Sequence, residues 1–173
     1  MAVTIVATPG ADDANSYIDT DAAEDYFDLR APTAPNWLAE TEEDDKARAL
    51  ITATRLLDQM VDWDGDVASE TQALSWPRYG LVDANGIEIA GDELPDELKW
   101  AICEFAETLL VSDRTADLAT QGISALSVGS VSIDFMSGQP PVRAVLPDIV
   151  WDYVSRWGTR RDISSGSATI VRA

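Results

Sequence analysis

The stretch Thr41 to Val61, TEEDDKARALITATRLLDQMV, decides the fold class, because its apolar residues recur at helical spacing. The four acids after Thr41 suit the positive N-terminal end of a helix. Apolar positions cover most of the circumference and leave a narrow polar stripe; they include Leu50, Ala53, Leu57 and Met60. Such a helix is buried on two sides, and in so small a chain one side is a candidate contact with a neighbouring subunit.

Three further helices and one hairpin are expected around this helix. The helices are predicted at residues 20–29, 95–112 and from 147 onward, and the hairpin strands at 125–128 and 131–135. Gly129-Ser130 between the strands suits a type II′ turn. We expect loop at residues 31–40, which hold two prolines, and an irregular stretch packed onto the helices at 62–93. The predicted fold class is mainly α, a small helical bundle of about four helices with one β-hairpin and extended terminal arms.

The sequence divides into two arms and one domain. Residues 1–18 form the predicted N-terminal arm, residues 19–157 the helical domain, and residues 158–173 a flexible C-terminal arm rich in Ser and Gly. Residues 141–173 carry five bases against three acids, unlike the rest of the chain. We expect the C-terminal arm to order on assembly and to contact acidic surface of a neighbouring subunit or of another protein of the assembly; its candidate contact residues are Arg160, Arg161, Ile170, Val171 and Arg172. A tail that stays mobile is the alternative.

Charge narrows the classes of function. Thirty-one acids against twelve bases give a net charge of −19 and a pI near 4.1. Such a surface repels phosphate, so sequence-independent binding to the DNA backbone is not expected as the main activity. Excess Asp with only two Lys is also typical of proteins from very salty cytoplasm, and a halophilic host is therefore a hypothesis.

The residues for common catalytic and metal sites are missing from the sequence. It has no histidine, one cysteine (Cys103) and no glycine-rich phosphate loop, so we expect no enzyme activity, no cofactor and no metal. The acidic run at 62–66 resembles a calcium loop, but its sixth and twelfth positions are Val67 and Ala73 where an EF-hand needs Gly and Glu. No apolar run approaches the roughly 20 residues of a membrane span, and the N-terminus lacks a basic signal region. An intracellular protein without membrane contact is expected.

Trp100 is unusual because it lies among acids on the polar face of the 95–112 helix. Two interpretations stay open: the 62–93 stretch folds over it, or it contacts another subunit, since exposed large aromatic residues often anchor interfaces.

A motif follows the 41–61 helix. Residues 72–86 read QALSWPRYGLVDANG and residues 94–101 read LPDELKWA; ALITATRLLD at 49–58 and VGSVSIDF at 128–135 accompany them. Over about residues 15–157 this pattern resembles small phage proteins known as head–tail connector or adaptor proteins, some of which carry the label DnaT-like single-stranded-DNA-binding. The strong acidity and the tail beyond Gly158 depart from that pattern.

The resemblance implies a virion protein made in the host cytoplasm. It implies a ring of roughly twelve copies at the head–tail junction, between the portal protein and the next neck or tail-completion protein, with DNA passing through the lumen unbound. It also implies that Trp76 fills the core, that Pro77 fixes the backbone, and that Arg78 forks onto a carboxylate of its own or the next subunit. Trp76 and Arg78 are therefore candidate subunit-interface residues as well. A purely internal anchoring role for these residues is the alternative. Two other functions stay open, a single-stranded-DNA-binding protein and an acidic regulatory or DNA-mimic protein.

Overall fold

Five helices dominate the computed structural model, which describes residues 2–32, 34–111, 125–128, 131–134 and 146–161, the two short segments at 125–134 by their backbone alone. The helices are α1 (Thr20–Leu29), α2 (Pro35–Ala39), α3 (Glu43–Met60), α4 (Asp96–Val111) and α5 (Asp148–Val154). A 3-10 turn, Ser155–Trp157, follows α5 directly. The prediction of a mainly α fold with one hairpin is confirmed, and four of the five helices lie where the sequence placed them.

Short strands pair in three antiparallel couples. They are β1 (Val61–Trp63), β2 (Asp66–Val67), β3 (Arg78–Tyr79), β4 (Ala125–Val128), β5 (Val131–Asp134) and β6 (Gly158–Arg160). The β4–β5 hairpin pairs Val128 with Val131, as the alternation in the sequence predicted. Strand β2 pairs with β3, and β1 pairs with β6 from the far end of the domain. Among the described residues each pair forms a separate two-stranded unit.

Helix α4 is the centre of the bundle and contacts α1, α2, α3 and α5. Its residues 101–107 are all buried, including two acids, Glu104 and Glu107. A helix buried around its circumference needs cover on several sides, and the other four helices supply it. The carboxylates are tolerated there because each one is hydrogen-bonded, as shown below.

The broad apolar face of α3 is covered by the chain itself. Leu50, Ala53 and Leu57 are fully buried and Met60 is 8% exposed, all within one core cluster. They offer no surface to a neighbour, so core packing within the chain accounts for these four positions, in place of the expected subunit contact. A second side of α3 is covered by residues 14–18 and by the loop after β1. Ser16, Tyr17 and Ser75 from these segments form hydrogen bonds with residues of this helix.

The N-terminal segment is part of the domain, which corrects the expected arm at 1–18. The backbone N–H of Val3 donates to Asp44 at 2.9 Å, which ties the first residues to the start of α3. Asn15 accepts from Val6 N–H and donates to Thr4 C=O, both at 2.9 Å. Tyr17 is 2% exposed. The segment contains no regular strand among residues 2–18, and its side chains anchor it.

The first residues of the expected C-terminal arm also belong to the fold. Strand β6 pairs Arg160 with Val61, and Arg160 donates to Asp148 at 2.9 Å. Arg161 forms an ion pair with Asp62, and its backbone N–H donates to Met60 C=O. Both arginines thus have partners in the same chain, and a contact of Arg160 and Arg161 with a neighbour stays a prediction. Ile170, Val171 and Arg172 lie outside the described residues.

Helix α2 stands where loop was expected. Pro35 occupies its first turn, where a missing N–H costs nothing, so the proline begins a helix and does not prevent one. The carboxylate of Glu107 accepts from the backbone N–H groups of Asn36 and Trp37 at 3.1 and 2.7 Å. A side chain about 70 positions away thus supplies the cap that the local sequence lacks.

Candidate functional site

Trp76 of the sequence motif lies at the centre of a tryptophan cluster. Its ring meets those of Trp63 and Trp157 edge-on, with centroids 5.7 and 5.3 Å away. Trp76 is 1% exposed, so it is a core residue and not a subunit contact. The indole N–H of Trp157 donates to Val82 C=O at 2.8 Å and fastens the second half of the motif to the 3-10 turn.

Asp58, near the end of α3, binds the motif loop through its carboxylate. Its carboxylate accepts from the Tyr17 hydroxyl, the Trp63 indole and the backbone N–H of Ser75, at 2.7 to 3.2 Å. The Tyr17 hydroxyl in turn accepts from Trp76 N–H at 3.2 Å. Burial raises the pKa of Asp58, while the hydrogen bonds from Ser75 and Tyr17 oppose that rise. The network joins three separate segments of the chain.

Arg78 anchors the motif loop through its guanidinium. Its guanidinium donates to the backbone carbonyls of Asp64, Gly65 and Ser75 at 2.6 to 3.0 Å. Gly65 has φ +69°, and an added Cβ would lie 2.3 Å from Tyr79 O, so the turn requires glycine. Arg78 was expected to bind a carboxylate, but its guanidinium binds three backbone carbonyls instead. Trp76 and Arg78 therefore fit the alternative interpretation, in which they anchor the loop within their own chain.

Glu104 on α4 fixes the end of α1. It accepts from the Tyr26 hydroxyl at 2.7 Å and forms an ion pair with Arg30, whose Nη2 lies 2.9 Å from Oε2. Arg30 also donates to Pro32 C=O at 2.8 Å. Burial, followed by the bond to Glu104, raises the pKa of Tyr26. The carboxylates of Asp58, Glu104 and Glu107 therefore act as structural acceptors.

An open groove of about 550 Å³ lies between α1, the start of α4 and α5. Its lining is mainly apolar and aromatic: Ile18, Ala22, Tyr26, Leu29, Trp100 and Tyr153. The Trp100 ring is stacked near Tyr26 with centroids 6.4 Å apart, and it meets Tyr153 edge-on at 6.0 Å. We call this feature the Trp100 groove.

Side chains in the Trp100 groove stay accessible to solvent. Trp100 is 38% exposed and Leu29 is 89% exposed, although both are large and apolar. Since the ring of Trp100 faces Tyr26 and Tyr153, the interpretation that the 62–93 stretch covers it is not supported. Of the seven residues first proposed for a subunit interface, Trp100 alone combines wide exposure with an apolar setting.

Charges around the groove are mostly neutralised locally. Lys99 donates to Asp96 at 3.0 Å, and the guanidinium of Arg30 is held by Glu104. Asp25 also lines the groove and is exposed, and it forms no ion pair within the part of the chain that the structure describes. The groove therefore has apolar walls and one carboxylate, that of Asp25, without an ion pair among the described residues, which favours a partner with aliphatic side chains and a positive charge.

Other chemistry is sparse in the described ranges. They hold no group of three or more His, Cys, Asp or Glu arranged to bind a metal ion. Cys103 is buried, and burial raises the pKa of its thiol, which makes it unreactive. None of the helices described is long and apolar enough to cross a membrane.

The sequence found one residue of this groove and missed its other members. Leu29, Tyr26 and Tyr153 were assigned to helices without a role, because only the packing of α1 and α5 on α4 brings them beside Trp100. The available signal was an exposed Leu at the last position of α1, next to the basic Arg30.

Comparison with known proteins gives one match. No curated protein and no solved structure matches the chain significantly. A family model described as "Putative DnaT-like ssDNA binding protein" matches residues 1–173. Since that match spans the whole sequence, the chain belongs to this family.

Proposed function

We propose that the chain is a structural head–tail adaptor of a tailed virus, a subunit that joins a ring beneath the portal protein and does no catalysis. The observation that carries the proposal is the Trp100 groove, an exposed aromatic surface on a subunit of net charge −19. Exposed apolar patches with a polar rim mark protein contacts. The resemblance of the motif at 72–86 to adaptor proteins supplies the identity of the assembly.

Internal anchoring by the motif is consistent with an assembly protein. Asp58, Trp76 and Arg78 build a rigid loop, and none of them is left free to act on a substrate. A ring subunit needs such a rigid body, because its neighbours must be placed reproducibly. The buried carboxylates on α4 serve the same purpose at the other end of the domain.

The charge suits a ring through which DNA passes. Six of the nine basic side chains in the described ranges form ion pairs with carboxylates of the same chain: Arg30, Lys46, Arg48, Lys99, Arg160 and Arg161. Few cations are therefore left to release counterions from phosphate. A ring of such subunits would present a negative wall and let DNA slide without retention.

Single-stranded-DNA binding is the second candidate, and the family description favours it. The cluster of Tyr26, Trp100 and Tyr153 adds a possible stacking surface, since nucleobases stack on aromatic side chains. Such proteins also place a basic groove along the backbone, whereas both bases of the Trp100 groove, Arg30 and Lys99, are paired with carboxylates of the same chain. The third function, an acidic regulatory or DNA-mimic protein, rests on the net charge alone.

Fluorescence anisotropy of labelled single-stranded DNA separates the first two candidates. At about 50 mM salt and micromolar protein, the adaptor predicts no saturable binding. Saturable binding that Trp100→Ala abolishes would favour the second candidate. Co-sedimentation with purified portal rings provides the positive test, with bovine serum albumin as an acidic control protein. Sedimentation of the chain with the portal supports the adaptor, and its absence from the pellet argues against it.

A further inference from the structure

We infer that the Trp100 groove is the docking site for the C-terminal tip, residues 168–173, of a second copy of this chain. The inference rests on the proposed assembly function and names the surface and the segment that join neighbouring subunits. The tip reads ATIVRA. Its aliphatic and basic side chains match the apolar walls and the Asp25 carboxylate of the groove, and the chain that carries it is long enough to reach a neighbouring copy.

Apolar contact is the first match. The groove presents Leu29, Trp100 and Tyr153 to solvent at one place, and burying them would be favourable by the hydrophobic effect. Ile170 and Val171 are adjacent aliphatic residues flanked by small ones. A short extended segment of this kind can insert one aliphatic side chain between the aromatic rings, as anchors do at protein interfaces.

Charge is the second match. Most of the chain is acidic and would be repelled by the carboxylate of Asp25 and by the subunit's net charge of −19, whereas residues 141–173 have a net charge of +2. Arg172 follows the aliphatic pair directly. In the groove its guanidinium would meet Asp25, which has no ion-pair partner among the described side chains, and the face of Trp100.

Reach is the third requirement, and the segment meets it. The backbone N–H of Arg161 donates to Met60 C=O at the end of α3, and its guanidinium donates to Asp62 of β1, so this last described residue is held at a defined point. Twelve residues follow it, enough for about 40 Å when extended. That length exceeds the diameter of a small domain and can span the boundary between two adjacent subunits.

Peptide binding to the full chain tests the inference. The acceptor is the full-length triple variant Ile170→Ser, Val171→Ser, Arg172→Ser, which removes competition by its own tip. The probe is a fluorescein-labelled peptide with the sequence of residues 162–173. We expect saturable binding, weakened about tenfold or more when Trp100→Ala or Leu29→Ala is added to the acceptor. Leu38→Ala is the matched control, since Leu38 is an exposed helical leucine away from the groove and should leave binding unchanged.

Three outcomes would overturn the inference. They are no saturable binding, equal binding by the Trp100→Ala acceptor, and equal binding of a probe carrying Arg172→Glu. Circular dichroism melts of each acceptor must match the triple variant, and Trp100→Phe supplies a milder second variant if the alanine change unfolds the domain. A monomeric wild-type chain that excludes the probe would place the tip in its own groove and would also contradict docking between copies.

Failure of this inference is distinguishable from failure of the adaptor proposal. Co-sedimentation with portal rings reports on the adaptor role whether or not the tip binds the groove. A chain that joins the portal normally but does not bind the peptide retains the proposed function and loses only the inferred docking site.

Discussion

The Tyr17 hydroxyl lies 2.7 and 2.8 Å from the two carboxylate oxygens of Asp58, and so links the N-terminal segment to the last turn of α3. The same carboxylate holds Ser75 N–H, one residue before the core tryptophan of the motif. Residues separated by 41 and 17 positions thus meet at one acceptor. This junction explains why an N-terminal segment without regular structure packs against the bundle.

Asp58→Ala should destabilise the domain by about 3 kcal/mol, because it leaves several half-buried donors without an acceptor. The donors are the Tyr17 hydroxyl, the Trp63 indole and Ser75 N–H. Urea denaturation at neutral pH measures the change. Asp66→Ala, at an exposed acid, is the control and should change stability by less than about 0.5 kcal/mol. Equal effects of the two substitutions would show that the junction is not a major source of stability.

The stability contributed by Asp58 should fall as pH rises. Burial raises the pKa of its carboxyl above the ordinary value of 3.8, so the folded chain binds that proton more tightly than the unfolded chain. The contribution is fully present below about pH 3.8 and is lost as pH rises through the folded pKa. The difference in unfolding free energy between wild type and Asp58→Ala, measured from pH 4 to pH 7 in steps of about one unit, should therefore decrease. A difference that increases with pH would contradict the raised pKa.

Arg78→Lys should loosen the motif loop, with a loss of about 1 to 2 kcal/mol. A lysine keeps the charge but cannot reach the carbonyls of Asp64, Gly65 and Ser75 together. Hydrogen exchange at residues 64–80 should accelerate. Arg48→Lys is the control, because the exposed ion pairs of Arg48 with Asp44 and Asp45 tolerate either base. Unchanged exchange in the loop of the Arg78 variant would remove its anchoring role.

Glu107→Ala should release α2. It removes the acceptor for Asn36 and Trp37 N–H and should cost about 2 kcal/mol. Faster hydrogen exchange at residues 36–40 is the measurement. Glu93→Ala, an exposed acid before α4, should leave that exchange unchanged. If α2 exchanges at the same rate in both variants, its N-terminus is held by packing alone.

Local sequence patterns predicted four of the helices and the hairpin. The elements that they missed depend on contacts between segments that are distant in the sequence. The periodicity of α3 correctly indicates burial on two sides, but periodicity cannot tell whether the cover is Tyr17 of the same chain or a neighbour. Helix α2 was missed because its cap comes from Glu107. Strand β6 was missed because its partner is β1, about 100 positions earlier in the sequence. Trp100 stood out for a local reason, its place among acids, whereas Tyr153 reaches the groove only through tertiary packing.

Quantitative mass spectrometry of purified virus particles tests the central claim most directly. The adaptor account predicts that this chain is present in mature particles in a fixed ratio to the portal protein, and that the ratio persists after nuclease treatment and a wash in about 1 M salt, which removes loosely bound acidic proteins. Its absence from mature particles, with the chain found only in the lysate or with replicating single-stranded DNA, would contradict the account and support the DNA-binding candidate.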